Sequence, residues 1–281
     1  MVYVKKVLEM NFDKESFVDL SNSLAECKFS LFGGNIMSFR PKNHNQDVFW
    51  MGNLNKFDNV HAIRGGVPVC WPRFAEEKLN DNLPRHGFAR LLMWNVDELN
   101  VGEDETKALF SLNSDKKYGL DIEAKLFVKV TDKLECVLET VNNGVKTFDF
   151  SEALHAYFNV GDKDKIVLKG FEEHKYHSSL DGKAYDAVDD LQIKGEFDAA
   201  FYNHEKSVKI VDETYKRVIT VNKQGSKSTV VWNPNKDLAE MSQGQYRNFV
   251  CIEPANQGEC FVKLAPKEKH KLVMSVEVAK L

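Results

Sequence analysis

The chain has 281 residues, of which 43% are hydrophobic and 28% are charged, so it can bury a substantial core beneath an ordinary polar surface. The formal net charge of -4 excludes a global basic field for nucleic acid or an anionic membrane. No apolar run approaches the ~20 residues of a membrane span, and acidic residues near the N-terminus do not fit a secretory signal. We therefore expect a soluble, cytoplasmic protein, with a monomer as the default state.

The five cysteines are widely spaced and form no C-x-x-C pair, which argues against a disulfide framework and against a zinc knuckle. Cys70, Cys136 and Cys251 lie in apolar runs, where cysteine behaves as a small core hydrophobe. The sequence therefore predicts reduced, buried thiols and no catalytic cysteine.

The first segment with chemical character runs from residue 61 to 94 and contains "HAIRGGVPVCWPRF" and "LPRHGFARLLMW". Its basic residues are Arg64, Arg73, Arg85, His86 and Arg90. Guanidinium groups bind phosphate through paired hydrogen bonds, so the segment predicts a local clamp for a phosphorylated metabolite. Nothing matches a P-loop or a dinucleotide-binding glycine motif, which disfavours nucleotide chemistry.

Some of these arginines could instead pair with nearby acidic residues on the surface. We expect this for Arg73 and Arg85, with Glu76, Glu77 and Asp81 as partners.

Two-residue alternation is the clearest periodic signal in the chain. It is strongest in "DIEAKLFVKV" (121–130) and "HKLVMSVEV" (270–278), and shorter examples are "KLECVLETV", "SVKIV" and "RVITV". Such alternation is typical of a strand with one buried face. Turn signals such as Asn143-Gly144 and Gln224-Gly225 separate the segments, and long amphipathic helices are hard to find. We predict an all-β, antiparallel sandwich or barrel in a single domain, residues 1–281.

Two segments interrupt this pattern with ionisable side chains among apolar ones: "LHAYFNV", with His155, and "FVCIEPAN", with Glu253. Each has a plain structural explanation, since a lone histidine can be a satisfied core residue and a glutamate before Pro254 can mark a strand end. Together they have the right chemistry for proton exchange, because a carboxylate accepts protons and an imidazole donates them near neutral pH. The sequence does not show that they meet.

A metal-dependent isomerase is one alternative, with His86, His155 and Glu253 as ligands. "HKYH" places His174 and His177 near each other, but no neighbouring spacing completes a metal site, so a polar turn is the better interpretation. We predict no metal and no cofactor.

Five segments in the order "IRGGVPVCWPRF", "RHGFAR", "LHAYFNV", "TVVWNP" and "CIEPAN" resemble the glucose-6-phosphate 1-epimerases of the aldose 1-epimerase superfamily. The similarity runs from about Gly33 to the C-terminus. It implies a large antiparallel β-sandwich of galactose mutarotase type. It also implies cofactor-free interconversion of the α and β anomers of a hexose 6-phosphate.

The resemblance assigns roles to particular residues. It implies that His155 protonates the ring oxygen of the sugar and that Glu253 takes the proton from the anomeric hydroxyl. The remaining residues would bind the substrate: His86 and Asp198 the sugar, Arg64 and Arg90 the phosphate. Two other functions stay open, a sugar-phosphate sensor that has lost activity and a mutarotase for unphosphorylated aldoses.

Overall fold

A computed structural model of the protein describes residues 17–75, 83–113, 118–186 and 188–281. Its strands, in chain order, are β1 Phe17–Asp19, β2 Ala25–Ser30, β3 Asn35–Pro41, β4 Val69–Cys70, β5 Asn95–Val101, β6 Thr106–Asn113, β7 Ile122–Val130, β8 Leu134–Asn142, β9 Phe148–Phe150, β10 Glu152–Leu154, β11 Tyr157–Asn159, β12 Ile166–Lys169, β13 Tyr176–Ser178, β14 Ala184–Tyr185, β15 Phe197–Tyr202, β16 Val208–Asp212, β17 Arg217–Gln224, β18 Ser228–Asn233, β19 Phe249–Asn256, β20 Val262–Leu264 and β21 Lys269–Lys280. The described residues also include the short 3₁₀ turns Ala89–Leu91, Lys163–Lys165, Gln245–Asn248 and Gly258–Cys260.

Two eight-stranded sheets dominate the molecule. One has the order β12-β16-β17-β21-β8-β7-β6-β5, and the other has the order β14-β13-β15-β18-β19-β10-β4, with β11 also paired to β19. We call the second one the site sheet. A three-stranded sheet, β1-β2-β3, and the pair β20-β9 complete the described architecture, and the strand pairs within all four sheets are antiparallel.

The alternation in the sequence becomes the burial pattern of the first large sheet. Along β7 the apolar side chains of Ile122, Ala124 and Leu126 are buried, while the residues between them are partly exposed. They belong to one continuous core cluster that also contains Leu138 of β8 and Ile252 of β19 in the site sheet. The antiparallel all-β architecture was thus correctly predicted. The single-domain assignment stays a prediction, which this shared core favours.

The site sheet uses its two faces differently. Ala199, Phe201 and Val231 point into the shared core, whereas Ala200 and Val230, one residue along each strand, join a small separate cluster on the opposite face. Alternate residues of a strand project to opposite faces, so Asp198 of β15 and Glu253 of β19 share the second face. This face carries the polar side chains of interest. None of the helices in the described parts of the chain has the length and apolarity needed to cross a membrane.

Candidate functional site

His155 lies directly across from Glu253 on the neighbouring strand. Ala153 of β10 is opposite Ala255 and Tyr157 of β11 is opposite Cys251, so the same register brings residue 155 opposite residue 253. The Nδ1 atom of His155 is 3.4 Å from a carboxylate oxygen of Glu253. Two residues almost a hundred positions apart in the chain are therefore a cross-strand pair.

Pro254 explains why the strand is interrupted at His155. By this register Leu154 is opposite Pro254, whose nitrogen has no hydrogen to donate to the Leu154 carbonyl. The Leu154 oxygen accepts a hydrogen bond from the Ala156 amide instead, at 2.9 Å. A bond between residues i and i+2 is a γ-type turn, and His155 is its central residue. The interpretation of Glu253 and Pro254 as the end of a strand is wrong, because β19 continues to Asn256.

The environment of the pair disfavours charge on both members. The side chain of Glu253 is 1% exposed and that of His155 is 12% exposed. Burial, helped by the negative charge of Asp198, raises the pKa of Glu253 well above its ordinary value. Burial, together with the smaller effect of the positive charges of nearby arginines, lowers the pKa of His155 to about 3. The free protein therefore favours a protonated carboxyl beside a neutral imidazole.

Two atoms of the pair have no hydrogen-bond partner. These are Nδ1 of His155 and Oε2 of Glu253, and both are buried. A buried polar atom without a partner costs free energy, and such atoms in a native structure call for an explanation. Here they lie side by side on the face of the site sheet opposite the shared core, where a polar ligand could satisfy both.

Aromatic rings surround His155. The Tyr157 ring is stacked on it at 4.9 Å between centroids, and the rings of Trp232 and His86 approach it edge-on at 5.9 and 5.7 Å. Phe74 in turn packs against His86 at 5.3 Å. These contacts restrict the orientation of the imidazole and cover most of its surface. Sequence reasoning missed Tyr157, Trp232 and Phe74, because aromatic residues in apolar runs give no functional signal.

His86 is held by its backbone and by its own ring. It has a φ of 62°, and Gly87 follows with a φ of 69°; a side chain on Gly87 would lie 2.1 Å from the Trp71 carbonyl oxygen, so this position requires glycine. The Nδ1 atom of His86 accepts a hydrogen bond from the Ala75 amide at 3.2 Å. In a neutral ring the other nitrogen then carries the hydrogen, so His86 offers a donor. Burial and the neighbouring positive charges keep its pKa below the ordinary value.

The charges of three arginines affect the pKa of His155. The charges of Arg64, Arg85 and Arg90 all lower the pKa of His155, after the larger effect of burial. The structure thus brings together the two arginines of the predicted clamp and adds Arg85. The acidic residues that we expected to pair with Arg85 and Arg73 lie outside the described residues, so that pairing stays a prediction. Arg73 donates a hydrogen bond to the Leu83 carbonyl.

Arg64 and Arg90 are held in different ways. The Nε of Arg64 donates to Glu240 at 2.7 Å and its Nη1 donates to the Tyr157 hydroxyl at 3.2 Å. Arg90 donates from Nη2 to the Arg85 carbonyl at 3.2 Å, and its buried Nε has no hydrogen-bond partner. Sequence reasoning also missed Glu240, which lies 176 positions from Arg64 in the chain.

Asp198 lies on β15 opposite Trp232, on the same face as Glu253. Burial raises the pKa of Asp198, while Ser179 and the charge of Arg85 act against this shift. Its negative charge contributes to the raised pKa of Glu253. All six residues predicted for the site therefore belong to one electrostatically linked group.

The metal alternative takes a different form in the structure. Among the described residues, the group with ligand spacing consists of His155, Cys251 and Glu253, whose ligand atoms lie within 4.8 Å of one another. The third ligand of such a site would be Cys251 and not His86, whose Nδ1 is used by Ala75. Burial raises the pKa of Cys251 well above its ordinary value, so it is a thiol in the free protein.

The fold is a β-sandwich in which the imidazole of His155 and the buried carboxyl of Glu253 lie together on one sheet face, beside aromatic and arginine side chains. The model of the aldose 1-epimerase family matches residues 16–277. The chain belongs to this family and is an isomerase, which confirms the predicted resemblance and enzyme class.

Individual relatives agree with this assignment. A protein of Escherichia coli strain K12 named "Putative glucose-6-phosphate 1-epimerase" is 31% identical over 277 residues, which cover 95% of this chain and 92% of the relative. The crystal structure of "a putative mutarotase (YeaD)" from Salmonella typhimurium has a TM-score of 0.87 and 26% identity, covering 95% of this chain and 91% of the other. A galactose mutarotase-like protein from Clostridium acetobutylicum, with 16% identity and a TM-score of 0.73, shares the fold.

The role of Pro254 in placing His155 can be tested with Pro254→Ala. The alanine amide can donate to the Leu154 carbonyl, which should straighten the strand and displace the imidazole. Because a misplacement of about 1 Å can cost about 100-fold in rate, we expect anomer exchange to slow by roughly 10- to 100-fold. The free energy of unfolding should change by less than about 1 kcal/mol, because a gained hydrogen bond offsets the lost rigidity of proline.

The exposed Pro266, in the turn before β21, provides the matched control as Pro266→Ala. Exchange rates and urea unfolding curves of both variants would be measured together. A Pro254→Ala variant as active as the Pro266→Ala control would contradict this role of Pro254.

Proposed function

We propose that the protein interconverts the α and β anomers of hexose 6-phosphates, chiefly glucose 6-phosphate. The observation that carries the proposal is the buried pair of His155 and Glu253, 3.4 Å apart, with an unpartnered atom on each residue. The arginine charges beside the pair favour a phosphate ester over a free sugar. The name of the Escherichia coli relative supports the same substrate.

The proposed proton transfers require that Glu253 and His155 can exchange one proton between them. A protonated Glu253 with a neutral His155 contains as many protons as an ionised Glu253 with a protonated His155. In the second state Glu253 removes the proton from the C1 hydroxyl while His155 protonates the ring oxygen, and the pyranose opens to the aldehyde. This transfer returns the pair to its neutral form, which burial favours.

Rotation about the bond between C1 and C2 presents the other face of the aldehyde. In reclosure the two roles are reversed, and the product is the other anomer. This step restores the ionised Glu253 and the protonated His155 from which ring opening began. The steps use one proton acceptor and one proton donor at a time, which matches the two residues. General acid and base catalysis of this kind contributes roughly 100- to 10,000-fold to a rate.

The remaining residues would bind and orient the sugar phosphate. Asp198 can accept a hydrogen bond from a sugar hydroxyl, and the donor nitrogen of His86 can bind a sugar oxygen. Arg64 is braced by Glu240 and Tyr157, so its guanidinium is preorganised for an anion. Arg90 and Arg85 add positive charge near His86, whose pKa they lower together with Arg64. The monomeric state and the cytoplasmic location stay predictions from the sequence.

The acid and base roles predict that Glu253→Gln and His155→Gln slow anomer exchange of glucose 6-phosphate by about 100- to 10,000-fold. The measurement is saturation-transfer NMR between the two anomers at equilibrium, with and without the protein. His174→Gln is a matched control, because His174 packs against His204 and not against the pair. Binding of glucose 6-phosphate without faster exchange in the wild-type protein would indicate a sensor and refute the proposal.

The phosphate clamp predicts a difference between substrates. A charge-assisted hydrogen bond contributes about 1.5 to 3 kcal/mol, so Arg90→Ala should lower kcat/KM for glucose 6-phosphate by roughly 10- to 150-fold. The value for unphosphorylated glucose should change by less than about threefold. Arg64→Ala should show the same preference, with an added loss on both sugars because Tyr157 and Glu240 lose their partner.

Arg247→Ala is the control for this experiment, because Arg247 is an exposed arginine that pairs with Asp164. Equal losses on glucose and glucose 6-phosphate in the Arg90 and Arg64 variants would remove the clamp and favour a mutarotase for unphosphorylated aldoses.

A further inference from the structure

Cys251 is a buried thiol that the proposed reaction does not use, and it lies beside the residues that do the chemistry. It is two residues before Glu253 on β19, so both side chains project from the same face of the strand. His155 belongs to the neighbouring strand segment, directly opposite Glu253. The three ligand atoms lie within 4.8 Å of one another. The side chains of Cys251 and Glu253 on β19 and of His155 on the neighbouring segment therefore lie close together on one face of the sheet.

The three side chains offer the donor types that zinc and cobalt prefer. Zn²⁺ binds imidazole nitrogen, cysteine sulfur and carboxylate oxygen in a tetrahedral arrangement, with bonds of about 2.0 to 2.3 Å. In such a tetrahedron a nitrogen and an oxygen ligand are separated by roughly 3.3 Å. The Nδ1 of His155 and the Oε1 of Glu253 are 3.4 Å apart. One edge of the coordination tetrahedron is therefore already formed.

The buried atoms without partners belong to the same group. His155 Nδ1 and Glu253 Oε2 have no hydrogen bond, although the Glu253 side chain is 1% exposed. Cys260, for comparison, donates weak hydrogen bonds from its sulfur to the Asn203 amide oxygen and the Lys227 carbonyl oxygen, and among the described residues it belongs to no group with ligand spacing. A cation at this point would satisfy both free atoms together with the thiolate of Cys251.

We propose that His155, Cys251 and Glu253 form a binding site for a thiophilic divalent cation, of which Zn²⁺ is the representative, and that this cation inhibits the enzyme. Binding releases two protons to the solvent, one from the Cys251 thiol and one from the Glu253 carboxyl, and the cation occupies the lone pairs of the proposed acid and base. Neither residue can then exchange a proton with the sugar. The binding half of this inference is independent of the proposed function, whereas the inhibition half rests on it.

The binding half is tested with Co²⁺, whose complexes with thiolates absorb in the near ultraviolet through charge transfer from sulfur. The protein is stripped of metal with a chelator and titrated with Co²⁺ while the absorption spectrum is recorded. We expect a charge-transfer band that saturates at one Co²⁺ per chain and disappears on addition of Zn²⁺. Cys251→Ser should lack the band, and the matched variant Cys260→Ser should retain it.

Glu253→Gln provides a second route to the same conclusion if Cys251→Ser does not fold. Loss of one ligand should weaken Co²⁺ binding by at least about tenfold, because the loss of a residue that merely supports a ligand already weakens metal binding by that factor. A band that persists in Cys251→Ser, an unchanged affinity in Glu253→Gln, or no band in the wild-type protein would each overturn the proposed site.

The inhibition half is tested in the anomer exchange assay. Zn²⁺ should slow exchange, glucose 6-phosphate should compete with it, and a chelator should restore the full rate. Cys251→Ser should need at least about tenfold more Zn²⁺ for the same inhibition than Cys260→Ser. Undiminished exchange in a protein whose Co²⁺ band shows an occupied site would refute inhibition. If the wild-type protein has no exchange activity, the proposed function fails, and the spectroscopic result still decides whether the site exists.

Discussion

The nitrogen of Pro254 carries no hydrogen, and the position of His155 depends on this. An ordinary residue at that position would donate to the Leu154 carbonyl and continue the ladder between β10 and β19. Because proline cannot, the Leu154 carbonyl bonds to Ala156, and the strand turns at residue 155. The turn leaves the register intact on both sides, so His155 still lies opposite Glu253. A local backbone defect thus presents an ionisable side chain without disrupting the sheet.

Burial then determines what the pair can do. Each residue alone would be costly to ionise on a face closed by Tyr157, Trp232 and His86. In the mechanism that we propose, the two residues share one transferable proton, so that one acts as an acid whenever the other acts as a base. The unpartnered atoms on both residues cost stability in the free protein. Strain and unsatisfied groups of this kind are typical of functional sites, where a ligand supplies the missing contacts.

The sequence predicted the fold well because alternation is a local property. In β7 and β21 the period of two directly gives the buried face, and it did so correctly. Only the resemblance joined the candidate residues into one site, because period and composition do not give the register between segments a hundred residues apart. Register brings His155 opposite Glu253, and a long-range ion pair fixes Arg64 against Glu240. Cys251 is buried in an apolar cluster, as predicted, but an apolar run does not show that its thiol shares a strand face with Glu253.

The central claim is that the pair holds its proton in the neutral form, with a protonated Glu253 beside a neutral His155. Infrared difference spectroscopy between the wild-type protein and Glu253→Gln at pH 7, with isotope-labelled glutamate, tests it directly. The account predicts the carbonyl stretch of a protonated carboxylic acid that is present in the wild-type protein and absent in the variant. A carboxylate band at pH 7 in place of the acid band would show that Glu253 is ionised and would contradict this account.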